Sequence, residues 1–410
     1  MWQRIHVRPK IARRQLQIAV LGTPVRDAYI EADTIAFPDH CVDFQVEQRH
    51  FAIPYQGEPI RFGEKRYAHT DLGSLSLTGC TVRNGGGVYH TTAQLAKLCL
   101  VRQLPAAIST IDSVIGWPEL ETAYSEMAIN HISLEVEQGT TNLILTNSKS
   151  NTAQPERLIL KSPEAPMPLS SLQLDPLLDQ LPSRLDMLVV NSPKSIDLAR
   201  RVIDVATQRA RAQYSVLTPS LSVADRIELL LMRDQASVCN LSEFALITKA
   251  NEESAQLEDI AQAMVELTRG CKTGDLVVTL GARGSLVGDR ATGSLVHVGL
   301  QPRFWQQIQS LGSTHPERKN GIGDRFFGSF VLSHRLTSHR NGNRTVQAAC
   351  QASLDMVRHL VPHLSPKLNW LVLHSFPQRF AAKATKRVFG PQWMGELLHP
   401  QSGGYALQYS

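Results

Sequence analysis

The sequence lacks any C-x-x-C pair, and no histidine cluster accompanies its six cysteines, Cys41, Cys80, Cys99, Cys239, Cys271 and Cys350. That argues against a zinc ribbon or a disulfide framework and makes a reducing compartment, the cytoplasm, the default. No apolar run approaches membrane-spanning length, so no membrane span is expected. No G-x-G-x-x-G follows the first apolar run, and no G-K-[S/T] follows any glycine loop. Those absences remove the dinucleotide-binding fingerprint and the P-loop. Charge of one sign is not in large excess: 42 basic against 37 acidic residues leave a net +5. That balance tolerates an anionic ligand but lacks the concentrated basic patch of a nucleic-acid binder. Residues 1–14 hold no acid and carry Arg4, Arg8, Lys10, Arg13 and Arg14. Without serine-rich character this stretch reads as a solvated basic tail rather than a transit peptide.

What is present is the composition of a globular protein: 42% of the 410 residues are hydrophobic and 19% charged. The chain is long enough for one large α/β domain with an insertion. Residues 16–22, L-Q-I-A-V-L-G, form a short apolar run ending in glycine, expected to be a buried first strand. Residues 30–80 change character. C-V-D-F-Q-V and R-F-G-E-K-R-Y-A-H-T alternate polar with apolar and are broken by Pro38, Pro54, Gly57 and Pro59. They read as antiparallel strands with one wet face. A second such patch, residues 131–160, contains H-I-S-L-E-V-E and T-N-L-I-L-T. Two patches inside an α/β chain suggest one small sheet, built from two insertions, that covers a site as a lid.

From residue 185 onward strands and helices alternate. L-D-M-L-V-V-N, Y-S-V-L-T-P, A-S-V-C-N and D-L-V-V-T-L-G are the strands; residues 195–211, 223–233 and 254–270 are the helices between them, and 345–361 is a further helix. That alternation means a parallel sheet with helices on both faces. Residues 363–410 carry Trp370, Leu371 and Val372, then Lys383, Lys386 and Arg387, and form an extension with no assigned role.

One stretch organises the rest: N-G-I-G-D-R-F-F-G-S-F, residues 320–330. Gly321 and Gly323 flank Ile322, Asp324 follows, and Phe326, Phe327, Phe330, Val331 and Leu332 make an apolar run. The spacing predicts a tight glycine turn opening a buried helix. The free amides of a helix N-terminus form an anion site. Asp324 in that first turn is placed to take a proton from a hydroxyl while the amides hold a phosphoryl group. An ordinary helix with an acidic start explains the same letters, so other motifs have to decide. Asp27 follows Gly22 by five residues, just past the first strand, where open α/β sheets bind ligands. R-N-G-G-G-V-Y-H, residues 83–90, leads three glycines into a helix, so a backbone there can lie close to a ligand. N-L-S-E, Asn240 to Glu243, follows a strand directly and suits either the water shell of a magnesium ion or a helix cap. T-L-G-A-R-G ends a buried strand at Thr279, and Gly281 and Gly284 make a turn that either lies against a flat or anionic ligand or joins a hairpin.

In this order the elements resemble the ribokinase-like (PfkB) carbohydrate kinase family. The carriers are Gly22 with Asp27, Gly85 with Gly86, Asn240 with Glu243, Thr279 with Gly281 and Gly284, and Gly321, Ile322, Gly323 and Asp324. The resemblance implies a three-layer α/β/α sandwich with a mainly parallel central sheet and a small β-sheet lid. The kinase domain would span residues 15–362, with lid strands within 30–80 and 131–160. It implies an ATP-dependent kinase acting on a hydroxyl of a sugar, nucleoside or related small molecule, with Mg²⁺. Asp324 would be the base, and the amides of Gly321, Ile322 and Gly323 the anion hole. Asn240 and Glu243 would organise Mg²⁺ through water. Asn240, Thr279, Gly281 and Gly284 would line the nucleotide, and Asp27, Gly85, Gly86 and His90 the acceptor. An exposed lid edge can pair with a second subunit, which allows a homodimer.

The departures fall close to the base. The family's Asp-Thr-Thr is Arg318, Lys319 and Asn320 here; the small residue after the base is Arg325; its asparagine is His90; its D-P-N turn is Thr218, Pro219 and Ser220. Lys319 or Arg325 would contact phosphate, or else pair with Asp324 and lower its basicity. These changes leave a second reading open, a catalytically weak or inactive relative with a binding or regulatory role.

Overall fold

The computed structural model describes residues 14–38, 40–62, 65–70, 80–114, 117–135, 141–147, 157–161, 175–176, 178–191, 200–201, 204, 209–210, 213–216, 236–248, 256–268, 274–290, 292–306, 321–337 and 344–377. Asn320, Arg318, Lys319, the turn at Thr218, the helix expected over 223–233 and most of that over 195–211 lie outside them.

The chain opens with β1 (Leu16–Leu21), whose side chains are buried on both faces. It then leaves the central layer. β2 (Val25–Glu31), β3 (Thr34–Ala36), β4 (Cys41–Val46), β5 (Arg49–Pro54), β6 (Gln56–Phe62), β7 (Lys65–His69) and β8 (Thr81–Gly85) follow. Helix α1 (Gly87–Val101) returns the chain to the centre through β9 (Ala106–Val114), α2 (Pro118–Glu126) and β10 (Ile129–Glu135). β11 (Thr141–Thr146) and β12 (Arg157–Lys161) complete the second sheet.

Next come β13 (Met187–Asn191), β14 (Gln213–Val216), β15 (Ala236–Asn240), α3 (Leu241–Thr248), α4 (Leu257–Thr268) and β16 (Asp275–Thr279). The chain continues through β17 (Ser285–Asp289), β18 (Ser294–Leu300), α5 (Ile322–Leu336), α6 (Arg344–Leu360) and β19 (Leu371–Ser375).

The central sheet is ten-stranded, in the order β10-β9-β1-β13-β14-β15-β16-β17-β18-β19. Every neighbouring pair from β10 to β16 is parallel, and β17, β18 and β19 continue antiparallel. Alternation along each strand feeds two cores. Leu16, Ile18 and Val20 of β1 face the cluster with α1, α5 and α6, while Ala19 and Leu21 face Leu178 and Leu181. Val277 of β16 points to the first layer, and Leu276 and Val278 point to α3 and α4. A sheet covered on both faces needs uninterrupted apolar strands, which is why these runs stand out in the sequence.

The second sheet is six-stranded, in the order β6-β7-β12-β11-β2-β8, and mixes parallel with antiparallel pairs. Strands β3, β4 and β5 form a third sheet. Its Val42, Phe44 and Ile53 share one core with Ala28, Leu143, Leu145, Leu158 and Leu160 of the second. The lid is thus two layers thick.

Four expectations need correction. Residues 131–135 belong to β10, an edge strand of the central sheet, not to the lid. The lid strands reach from Val25 to Gly85, beyond the expected 30–80, and Asp27 lies on one of them. The lid sheet is mixed rather than antiparallel, because β2 pairs parallel with β11 and β7 with β12. Residues 371–375 pair with β18, so the central sheet continues past residue 362 and part of the expected extension lies within it.

Candidate active site

Helices α1 and α5 lie side by side, and a polar seam sets their register. Gln94 Nε2 donates to Ser329 Oγ (2.9 Å), and Thr91 Oγ1 donates to the Asp324 carbonyl (3.0 Å). Gly328 lets the backbones approach: a Cβ there would sit 2.9 Å from the Thr91 carbonyl oxygen. At the far end of α5, buried His334 lies between Tyr214, Asp275 and Arg344. The two helix N-termini therefore meet above the carboxyl ends of β1 and β13, the end where parallel sheets carry their sites.

α5 starts at Gly321, which takes a left-handed conformation (φ 65°) and is its N-cap. The first bond along the helix runs from the Arg325 amide to the Gly321 carbonyl (2.9 Å). The amides of Ile322, Gly323 and Asp324 consequently have no acceptor within the helix. Among the described residues, none from outside this helix turn comes within 4 Å of where a Gly323 Cβ would stand. The arrangement has the geometry of an anion site with a carboxylate on the same turn.

Asp324 is held by Asn191 and packs close to Gly87. Asn191, the fully buried last residue of β13, donates from Nδ2 to Asp324 Oδ1 (3.1 Å) and to Thr91 Oγ1 (2.7 Å). Gly87 packs against this same pair. A Cβ on it would meet Asn191 Oδ1 at 2.2 Å and Asp324 Oδ1 at 2.8 Å, so only a bare backbone fits.

The neighbouring glycine makes room for a second carboxylate. Asp27 is 3% exposed, accepts from Asn142 Nδ2 (3.0 Å) and packs so close to Gly85 that a Cβ there would fall 2.1 Å from its Oδ2. Gly86 between them is the N-cap of α1, with φ 83°. The three-glycine run thus joins the lid to the helix layer and packs against Asp27 and Asp324 at its two ends. The His90 ring abuts the Gly321 backbone, where a Cβ would lie 2.1 Å from Cδ2. The Arg325 guanidinium reaches His90 Nδ1 (3.4 Å) and forms no ion pair with a described carboxylate. Burial pulls the Arg325 pKa below its usual value, and the nearby Tyr89, Asp324 and Tyr29 push it back up.

The remaining candidates gather elsewhere on the same sheet edge. Asn240 and Thr279 are partners in the β15–β16 ladder. β16 lies three strands from β13, roughly 14 Å across the sheet at ordinary strand spacing. Asn240 and Glu243 form a reciprocal capping box: the Asn240 amide donates to Glu243 Oε2 (2.9 Å), and the Glu243 amide to Asn240 Oδ1 (2.8 Å). The helix-cap alternative for this motif is therefore present in full. Their side-chain acceptors are all oxygen, the donor type Mg²⁺ prefers, but with one carboxylate already bonded they fit an ion held through water. Among the described residues no group of three or more His, Cys, Asp or Glu could ligate a metal directly. No described residue crowds the Cβ position of Gly281 (φ 60°), whereas Gly284 packs on β18, where a Cβ would strike the Val298 carbonyl oxygen at 2.1 Å. His297 supports this turn by a 2.6 Å contact from Nε2 to the Arg283 carbonyl.

Asn191 and Thr91 are the residues that the motifs missed. The available signal was a polar residue ending a fully buried strand.

No family model matches the sequence, and none of the curated proteins does. Solved structures do match in fold. Phosphofructokinase-2 from Escherichia coli, in complex with substrates and products, superposes with a TM-score of 0.55 at 16% identity, over 86% of this chain and 100% of that one. Ribokinase from Giardia lamblia gives 0.55 at 15% identity, over 83% and 94%. Adenosine kinase from Anopheles gambiae gives 0.55 at 14% identity, over 86% and 100%. The chain has the ribokinase-like fold expected from its motifs.

Proposed function

We propose that this protein is an ATP-dependent kinase that phosphorylates a hydroxyl of a small molecule. The observation that carries the reading is Asp324 in the first turn of α5, fixed by Asn191, beside amides without helical acceptors and a Gly323 that no described residue from outside the turn crowds. The solved structures of like fold are named as phosphofructokinase, ribokinase and adenosine kinase, which supports the class.

In this reading the acceptor hydroxyl gives its proton to the Asp324 carboxylate. The oxygen bonds to the γ-phosphorus of ATP as the bond from that phosphorus to the β–γ bridging oxygen breaks, and ADP leaves. The helix amides hold the charge on the transferring group. Mg²⁺, held through water by Asn240 and Glu243, would neutralise the donor phosphates when bound. Asp27 would position the acceptor from the lid, and Thr279 and Gly281 would face the nucleotide. Gly284 serves the turn itself. The Arg325 guanidinium reaches His90 and makes no ion pair with Asp324.

The test is ADP release from Mg-ATP across a panel of sugars, nucleosides, vitamin alcohols and their phosphorylated and carboxylated forms. One acceptor that stimulates release supports the kinase. ATP binding without stimulation by any acceptor would favour the binding protein.

A further inference from the structure

Beside the α5 N-terminus lies a cleft of about 450 Å³ lined by three arginines. Arg26, Arg83 and Arg325 line it with His90 and His359, and Glu119 is the one carboxylate among the described residues there. Glu119 is matched by Arg26 (3.4 Å). Arg83 and Arg325 form no ion pair with any described carboxylate; Arg83 lies over the Tyr29 ring (5.6 Å), and Arg325 reaches His90. Arg325 Nε is buried with no hydrogen-bond partner among the described residues. A half-buried guanidinium with an idle donor is costly unless something supplies charge and an acceptor. Two planar guanidinium forks from different strands and helices suit a phosphoryl or carboxylate group.

The cleft is joined to the acceptor side of the candidate site. Arg325 follows Asp324, Arg26 precedes Asp27, and Arg83 is the ladder partner of Asp27 two residues before Gly85. His90 forms a wall of both the cleft and the Gly321 turn. A ligand whose hydroxyl lies at Asp324 therefore has its remaining atoms beside these cations.

We infer that the acceptor carries an anionic group, a phosphomonoester or a carboxylate, in addition to the hydroxyl that is phosphorylated, and that Arg83 and Arg325 bind it. This deepens the kinase reading and rests on it for the hydroxyl, but not for the anion.

The experiment compares binding by calorimetry, without nucleotide, of matched probes: neutral sugars, their phosphate monoesters, the corresponding sugar acids and inorganic phosphate. At least one anionic sugar is expected to bind about tenfold or more tighter than its neutral parent. That advantage is expected to fall to about threefold or less in Arg325→Gln and in Arg83→Gln. Arg83 is exposed, so its variant keeps the fold even where Arg325→Gln does not. Equal binding of charged and neutral probes, an advantage unchanged in Arg83→Gln, or no binding of any anionic probe overturns the inference. Inorganic phosphate binding as tightly as the sugar anions, and lost in the same variants, overturns it in favour of a free-anion site. An anionic sugar held by Arg83 and Arg325 that never stimulates ADP release leaves the anion site standing and removes the kinase reading.

Discussion

Asn191 Nδ2 bridges Asp324 Oδ1 and Thr91 Oγ1, and so ties the carboxylate of α5 to the end of β13 and the start of α1. The bridge aims Asp324 without taking its second oxygen. Asn191→Leu keeps the volume and removes the donor. The expected result is a fall in kcat of roughly tenfold to a hundredfold with KM for the acceptor little changed, because a misplaced base mainly affects the chemical step. Steady-state kinetics of the two proteins checks it; an unchanged kcat would show that Gly87 and the helix alone hold Asp324.

The capping box at Asn240 and Glu243 separates two roles that the sequence left joined. Glu243→Gln keeps a side chain able to close the box, whereas Glu243→Ala does not. Thermal unfolding is expected to be unaltered in the first and to fall in the second by an amount equivalent to about 1 kcal/mol. If the carboxylate also organises Mg²⁺, the Gln variant is expected to need a higher Mg²⁺ concentration for half-maximal ADP release. An unchanged Mg²⁺ titration would leave Glu243 as a cap alone.

Much of the fold could be read in advance, and the reasons are specific. Strands β1, β13, β15 and β16 are buried on both faces, so their apolar runs have no other explanation. Strand β10 misled because in H-I-S-L-E, residues 131–135, polar residues alternate with Ile132 and Leu134, the pattern of a half-wet lid strand. Strand β9 was missed because Ser109 and Thr110 are buried polar residues inside it, and local composition does not announce them. Gly321, Gly323 and Asp324 were legible as a glycine turn opening a helix with an acidic first turn, since helix starts are local. Asn191 was not, because its role depends on a strand end more than a hundred residues from Asp324 reaching the same spot. Gly284 illustrates the converse: its motif suggested a ligand, but the absent side chain is explained by the Val298 carbonyl.

His297 sets an expected pH dependence of stability. Burial lowers its pKa from the usual 6.5, partly offset by the hydrogen bond to the Arg283 carbonyl. The unfolded chain then binds the proton more readily than the folded one. Its contribution to stability is present above pH 6.5 and is lost as pH falls from there through the lower folded value. Melting temperature is expected to decline below pH 6.5 and to decline less in His297→Gln. A wild-type profile parallel to that of the variant would contradict this.

The central claim is that Asp324 is the base of phosphoryl transfer. The most direct measurement is single-turnover transfer of the γ-phosphoryl from Mg-ATP to an acceptor, in wild type and in Asp324→Asn, with acceptor and nucleotide binding followed in parallel. The variant is expected to bind both ligands within about threefold of wild type and to transfer at least a hundredfold more slowly. Transfer at the wild-type rate in Asp324→Asn, with binding intact, would contradict it.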